Sequence, residues 1–285
     1  MGIKDLVSFV KKRDPAIFST PFSFWQESTH KQKKDKIRIA IDVPILAYKL
    51  AYISGTDVLV QRILHFASKF IEDAVPIFVF DGDNLVEKTE EKAKRATAFR
   101  KRPLPPERET RRLFADDEFE IVVELGPAAC KQPCKKDYDL MKEALVSAGY
   151  ECKTAKYEAE ALCAYLCFAD VDRADAVLTE DSDAFAYCAP SVILRYGSPD
   201  CVVVQSSKMI ESLNISQDCF IELCVLLGND FNERLPLIGP VKAFALLQKH
   251  SNLNQVLEFL DVTDEKKERM QRTRSIFKSF CFENE

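Results

Sequence analysis

With 285 residues and 47% apolar content, the chain can bury a core of ordinary domain size, which sets intrinsic disorder aside. No apolar run reaches the roughly 18 residues of a membrane span, and the first residues lack a secretory leader, so an intracellular protein without a membrane partner is expected. Ten cysteines with no CxxC pair count against a disulfide frame, and three scattered histidines turn any catalytic metal toward oxygen ligands, which favours magnesium or manganese over zinc or copper.

From residue 37 to residue 205, short apolar runs of strand type alternate with helical periodicity. IRIAI (37–41) and PIFVF (76–80) read as buried strands, and residues 57–73 between them carry apolar side chains at helical spacing. Residues 86–112 then hold ten Lys or Arg against five Glu, in a chain whose net charge is −5. With Glu90 and Lys94 at i,i+4, this basic segment reads either as a solvated, salt-bridged helix or as a cationic surface for phosphate. The proline-rich stretch 97–136 cannot be one long helix and reads as an insertion rising above the sheet. A second round follows, with a helix over 138–149, a short strand over 150–155, a helix over 158–169 and a strand over 175–181. VILRY (192–196) and CVVVQ (201–205), joined by GSPD, predict a hairpin at the sheet edge. Helices are predicted over 216–228, 240–250 and 252–260, and the charged segment 264–278 is either a peripheral helix or frayed. The fold class is α/β, a mostly parallel central sheet with helices on both faces.

Carboxylates fall where such a fold builds its sites. Asp42 ends the first predicted strand, Asp81 the second, and Asp181 and Asp183 the fourth, and parallel strands bring those ends to one edge. A single Asp there is an ordinary turn or cap residue. Three strands ending this way crowd like charges, a state relieved by protonation or by a bound cation. Glu158 and Glu160 join the cluster if a helix starts near Tyr157; taken alone they read as solvated first-turn glutamates favoured by the helix dipole. Asp230 follows Gly228, a helix end that leaves the carboxylate free to turn toward the same edge.

MGIKDL, IAIDVPILAY, VFDG, EAEA, TEDSD and LLGND resemble, in order, the opening and the metal-ligand motifs of the flap endonuclease (FEN/XPG) family, and the resemblance runs from residue 1 to about residue 260. It implies a PIN-like 5′ nuclease fold, with a nuclease core over 1–230, a helical arch inserted at about 86–136, a helix-hairpin-helix segment over 231–262 that grips duplex DNA, and a tail over 263–285. It implies hydrolysis of DNA phosphodiesters at flaps or junctions, in replication and repair. The cofactors would be two magnesium ions, with manganese able to substitute, on Asp42, Asp81, Glu158, Glu160, Asp181, Asp183 and Asp230. Lys88 and Arg95, seven and fourteen residues after Asp81, become cations facing the scissile phosphate, and their spacing, close to whole helical turns, lays both on one stripe. Tyr48 matches an aromatic that stacks on a base beside the cut, although the same spacing suits a core tyrosine. Gly2, Lys92, Lys94, Arg100, Gly239 and Lys242 are assigned to DNA contact. The implied setting is a monomer acting on DNA with single-strand/duplex junctions, in the nucleus or, for a viral protein, at the site of viral DNA replication.

Two departures from the family pattern carry expectations of their own. Leu237 stands in LIG where the family hairpin has Gly-x-Gly; Leu does not readily take the positive φ open to Gly, so the loop is expected to change conformation or to lose the potassium ion bound there. MQRTRSIFKSF (270–280) does not fit a sliding-clamp motif, which wants an aliphatic residue three after the Gln. Two further readings compete. FVFDGDNLV (78–86) also resembles the nucleophile loop of haloacid-dehalogenase-type phosphatases, with Asp81 attacking phosphate, but that leaves EAEA, TEDSD and the hairpin unexplained. A catalytically lapsed, DNA-binding family member is the non-enzymatic alternative, and the full carboxylate set counts against it.

Overall fold

A computed structural model describes residues 2–32, 36–54, 56–70, 74–83 and 132–279. Lys88, Lys92, Lys94, Arg95 and Arg100, with most of the expected arch, lie outside the described residues. The strands are β1 (Ile37–Asp42), β2 (Ala74–Phe80), β3 (Glu151–Thr154), β4 (Ala176–Leu178), β5 (Ser191–Leu194) and β6 (Val202–Gln205). They form one sheet in the order β3-β2-β1-β4-β5-β6. All neighbours are parallel except β5 and β6, which pair as an antiparallel hairpin at the edge. The amide of Val203 on β6 donates to the carbonyl of Thr20, and Pro21 bridges Val202, so the N-terminal segment covers part of that edge.

Alternation along each strand builds two cores. Ala40, Ile77, Val79, Val177, Val192, Val202 and Val204 face one side, against α1 (Leu6–Arg13), α6 (Ala159–Leu166), α7 (Asp183–Ala186), α8 (Ser206–Leu213) and the C-terminal helices α9 (Gln217–Leu227), α10 (Pro240–His250), α11 (Leu253–Phe259) and α12 (Asp264–Ser279). Ile37, Ile39, Ile41, Phe78, Phe80, Leu178, Ile193 and Val203 face the other. There they meet α2 (Phe22–Gln32), α3 (Val43–Ser54), α4 (Leu59–Ser68) and α5 (Lys135–Ser147). Strands apolar on both faces are the mark of a sheet covered on both sides.

Three expectations change. The strand predicted over 175–181 stops at Leu178, because the Thr179 hydroxyl takes up the Asp181 amide and turns the chain, so Asp181 and Asp183 lie in and after that turn rather than on the strand. The segment 264–278 takes the helical of its two readings and is not frayed, and it is anchored more firmly than a merely peripheral helix. α12 buries Met270, Thr273 and Phe277 on one stripe, and Phe277 meets Tyr187 and Phe231 edge-on with ring centroids 5.0 and 5.6 Å away. The buried Glu222 on α9 pairs with Arg274 at 2.9 Å and accepts the Leu253 amide, tying α9, α11 and α12 together.

The third change is at the hairpin. Leu237 does adopt φ +61°, and its side chain is 92% exposed, so the left-handed backbone is reached with the Leu side chain directed into solvent. The ground for expecting an altered loop there falls. Left-handed backbone costs a non-glycine residue about 1 kcal/mol or more, and glycine gives back part of that relief through unfolded-chain entropy. Leu237→Gly is therefore expected to stabilise the fold by about 0.5 kcal/mol in denaturant titrations, since no burial is lost. A clear destabilisation would mean that Leu237 packs against something.

Candidate metal centre

The strand order reverses between β1 and β4, and open parallel sheets form their crevice beyond the strand ends at that point. Asp42 is the last residue of β1 and caps α3, its Oδ1 accepting the Ile45 amide at 3.4 Å. Its Oδ2 accepts the Thr179 hydroxyl at 2.6 Å across the β1–β4 pair. Asp81 directly follows β2. There the chain is zipped to the segment before α6 by amides of Ala155, Gly82 and Asp83 paired with carbonyls of Phe80, Tyr157 and Lys156 at 2.8–2.9 Å. A Cβ at Gly82 would lie 2.0 Å from the Ala155 carbonyl oxygen, so this approach requires the glycine of VFDG. The same approach sets Asp81 Oδ1 to accept the Ala159 amide at 2.9 Å, at the start of α6, whose N-cap is Glu158. One carboxylate oxygen each from Asp81, Glu158 and Glu160 thereby falls within 4.8 Å of the others.

The second side of the site comes from the β4 turn and from the end of α9. Asp181 Oδ1 accepts the Asp183 amide at 3.0 Å, and Asp183, fully buried, opens the one-turn helix α7. Asp230 follows the α9 terminus at Gly228. Its turn is fixed by Asn229, whose Oδ1 accepts the amides of Phe231 and Asn232, and by the Asn232 side-chain amide donating to Val225. The N-terminal segment is fastened to both turns. Ser182 Oγ donates to the Ile3 carbonyl at 3.3 Å, and the Lys4 amide donates to the Gly228 carbonyl at 3.0 Å. Arg234 adds a tie by donating to the Leu227 carbonyl and pairing with Asp5 at 2.8 Å.

Electrostatics join the two sides. Burial, then the Glu160 charge, push the Asp42 carboxyl well above the ordinary carboxylate range, with Asp81 and Asp181 adding to the effect and the Thr179 hydrogen bond opposing it. Burial, then Glu160 and Asp230, push Asp181 up to about 6. Tyr138 on α5 also feels the cluster: burial, then Asp81 and Asp42, raise its phenol. A shallow cleft opens beside Asp42, lined by Ile45, Leu46 and Lys49 of α3 and by Glu180 and Tyr196, with Lys49 and Glu180 paired at 3.5 Å. Tyr48 is half-buried on α3. Gly239 and Lys242 lie far along the chain, at the N-cap and first turn of α10, where Lys242 is exposed.

The donor set suits a hard divalent cation. The grouped ligand atoms are carboxylate oxygens, and the eight cysteines among the described residues are free thiols, four of them buried. Like charges held this close raise one another's pKa unless a cation offsets them. The thermodynamic sign follows from Asp181, which shifts from 3.8 to about 6. With a raised folded-state pKa, the metal-free fold binds more protons than the unfolded chain between those values. Its stability therefore falls as pH rises through that window, and the full penalty stands above it. The shift corresponds to about 3 kcal/mol. Magnesium is expected to raise the melting temperature more at ~pH 7.5 than at ~pH 5, where protons already relieve the repulsion. An equal gain at both pH values, or none at either, would separate the cluster from metal binding.

Comparisons with known proteins bear on this geometry. Residues 149–230 match the XPG I-region family model, a span that holds Glu158, Glu160, Asp181, Asp183 and Asp230. The chain is 26% identical over 290 residues to flap endonuclease 1 of Heterostelium pallidum, covering 92% of this chain and 69% of that protein. It is 30% identical over 217 residues to flap endonuclease 1 of Phaeodactylum tricornutum, covering 71% of this chain and 48% of that protein, so it spans only about half of some relatives. In fold it is similar to flap endonuclease-1 from Methanococcus jannaschii, with TM-score 0.59, 20% identity and coverage of 85% and 78% of the two chains. The catalytic core of Rad2 in complex with DNA gives TM-score 0.59 at 18% identity, covering 98% of this chain and 77% of that one. Sheet order and these likenesses define the class, a 5′ nuclease fold. Within that class, the family-model match and the flap endonuclease relatives support the FEN/XPG family.

Proposed function

We propose that this chain is a structure-specific 5′ nuclease that hydrolyses DNA phosphodiesters at flaps or junctions during replication and repair. Its cofactors would be two magnesium ions, replaceable by manganese. The observation that carries the reading is the convergence of acidic side chains from separate segments on the sheet's switch-point edge, six of the seven at or below 6% exposure. Bound there, the ions supply a water of lowered pKa and offset charge on the phosphate. Asp81, Glu158 and Glu160 would hold one side of that centre and Asp181, Asp183 and Asp230 the other, with Asp42 between them.

The protein's cations would act around this floor. Lys88 and Arg95, seven and fourteen residues after Asp81, would face the phosphate from the side opposite the carboxylates and stabilise charge as it develops there. Tyr48 would stack on a base beside the cut. Lys92, Lys94 and Arg100 would contact the entering strand, while Lys242 and the first turn of α10 would hold the duplex backbone. Residues 1–230 would form the nuclease core and 231–262 the duplex-binding segment of a monomer working in the nucleus. Selectivity would come from strand admission and backbone shape, with little base readout.

Side-by-side incubation of end-labelled flap, nicked, bubble and four-way-junction DNAs with magnesium tests the proposal. Incision at a flap or junction, leaving 5′ phosphates, is the expected result. Binding without incision in either magnesium or manganese would favour the lapsed family member. Release of phosphate from small monoesters without DNA incision would favour the phosphatase.

A further inference from the structure

Thr179 lies between the two sides of the acidic centre and is 1% exposed. Its hydroxyl donates to Asp42 Oδ2 at 2.6 Å and accepts the Asp181 amide at 3.0 Å. The single proton and a lone pair of one oxygen are thus both used, each toward a different acidic residue. The bond to Asp42 joins the residue that follows β4 to the last residue of β1, and the bond to Asp181 stops β4 and starts the turn that carries Asp181 and Asp183. Among the described residues the other hydrogen bond to the Asp42 carboxylate is the long 3.4 Å one from the Ile45 amide, so the Thr179 bond is the stronger restraint on where that carboxylate points.

We infer that Thr179 is a positioning residue of the metal centre, its hydroxyl setting the orientation of Asp42 and the path of the Asp181 turn so that both carboxylates face one site. The inference rests on the reading of this cluster as a divalent-metal centre. Groups that orient metal ligands act through affinity and geometry, and their loss typically costs about 10- to 100-fold in either. Valine copies the shape of threonine and removes the hydroxyl. Serine keeps the hydroxyl and removes the methyl.

The test compares wild type, Thr179→Val and Thr179→Ser as full chains. Manganese binding is measured by calorimetry without DNA, flap affinity in calcium, and single-turnover flap cleavage in magnesium. For Thr179→Val the expected result is manganese binding weakened about 10-fold or more and cleavage slowed about 30-fold or more, with flap affinity within about threefold of wild type. Thr179→Ser should restore both to within about fivefold. Wild-type manganese binding by Thr179→Val would overturn the inference. So would a serine variant as impaired as the valine, which would assign the effect to methyl packing. If Thr179→Val does not fold, the ratio between Thr179→Ser and Thr179→Ala decides in the same way. Absence of manganese binding by wild type would instead sink the metal-centre reading itself, which keeps the two failures distinct.

Discussion

Asp181→Ala is expected to reduce single-turnover cleavage of flap DNA by at least about a hundredfold, or about 2.7 kcal/mol in the barrier, while DNA binding stays level or tightens. Asp181 feels both Glu160 and Asp230, so removing it takes away a ligand and also lowers the negative potential that meets the phosphate. The same change should leave the metal-free protein no less stable above pH 6, because the buried charge that the fold tolerates there is gone. Asp181→Asn keeps an oxygen for the Asp183 amide and separates loss of charge from loss of the turn. A variant that retains more than about a hundredth of the wild-type rate would count against catalysis through this residue.

The parts of this site that were legible in the sequence are those whose position follows from local pattern. β1 and β2 announce themselves by apolar runs, and an Asp at the end of each must lie at one sheet edge if the strands are parallel. Strand order was not legible. Nothing in IRIAI or DAVLTED states that β1 and β4 are neighbours, yet that adjacency creates the crevice and the Thr179–Asp42 bond. Thr179 carried a faint signal, a hydroxyl two residues before Asp181, the spacing of a side-chain-capped turn. Asn229 and Asn232, which fix the Asp230 turn, carried the same kind of signal. Tyr138 carried none, because a residue on α5 meets Asp81 only through the packing of the sheet.

The helical misses have a related cause. The sequence pattern does not place α1, α2 or α3, and α3, VPILAYKLAYIS, is apolar around most of its circumference, so periodicity offers little to read. α12 shows the opposite problem. Its buried stripe is only Met270, Thr273 and Phe277 among charged residues, and a stripe that narrow resembles a solvated helix until Phe277 is seen against Tyr187 and Phe231. At Leu237 the local rule itself was outweighed: a side chain directed into solvent meets nothing, so positive φ costs only its intrinsic strain.

Gly2→Ala is expected to damage the site although residue 2 carries no side chain and stands far from the motifs in sequence. Gly2 has φ +80°, and a Cβ there would lie 2.0 Å from Asp181 Oδ1 and 2.8 Å from both the Asp183 amide nitrogen and Ser182 Oγ. Ordinary contact between carbon and oxygen needs more than 3 Å, so either the Asp181 carboxylate or the N-terminal segment must shift by about 1 Å. The segment resists, because Ile3 is buried and accepts from Ser182, Lys4 donates to Gly228, and Asp5 is held by Arg234. Both routes disturb the turn that carries Asp181 and Asp183. A displacement of that size in a catalytic constellation costs about a hundredfold in rate, and alanine at positive φ adds about 1 kcal/mol of strain. Single-turnover cleavage should therefore fall by about two orders of magnitude with weaker manganese binding. Cleavage and manganese affinity both within about threefold of wild type would show that the N-terminal segment gives way freely and that the close approach of Gly2 to Asp181 is incidental.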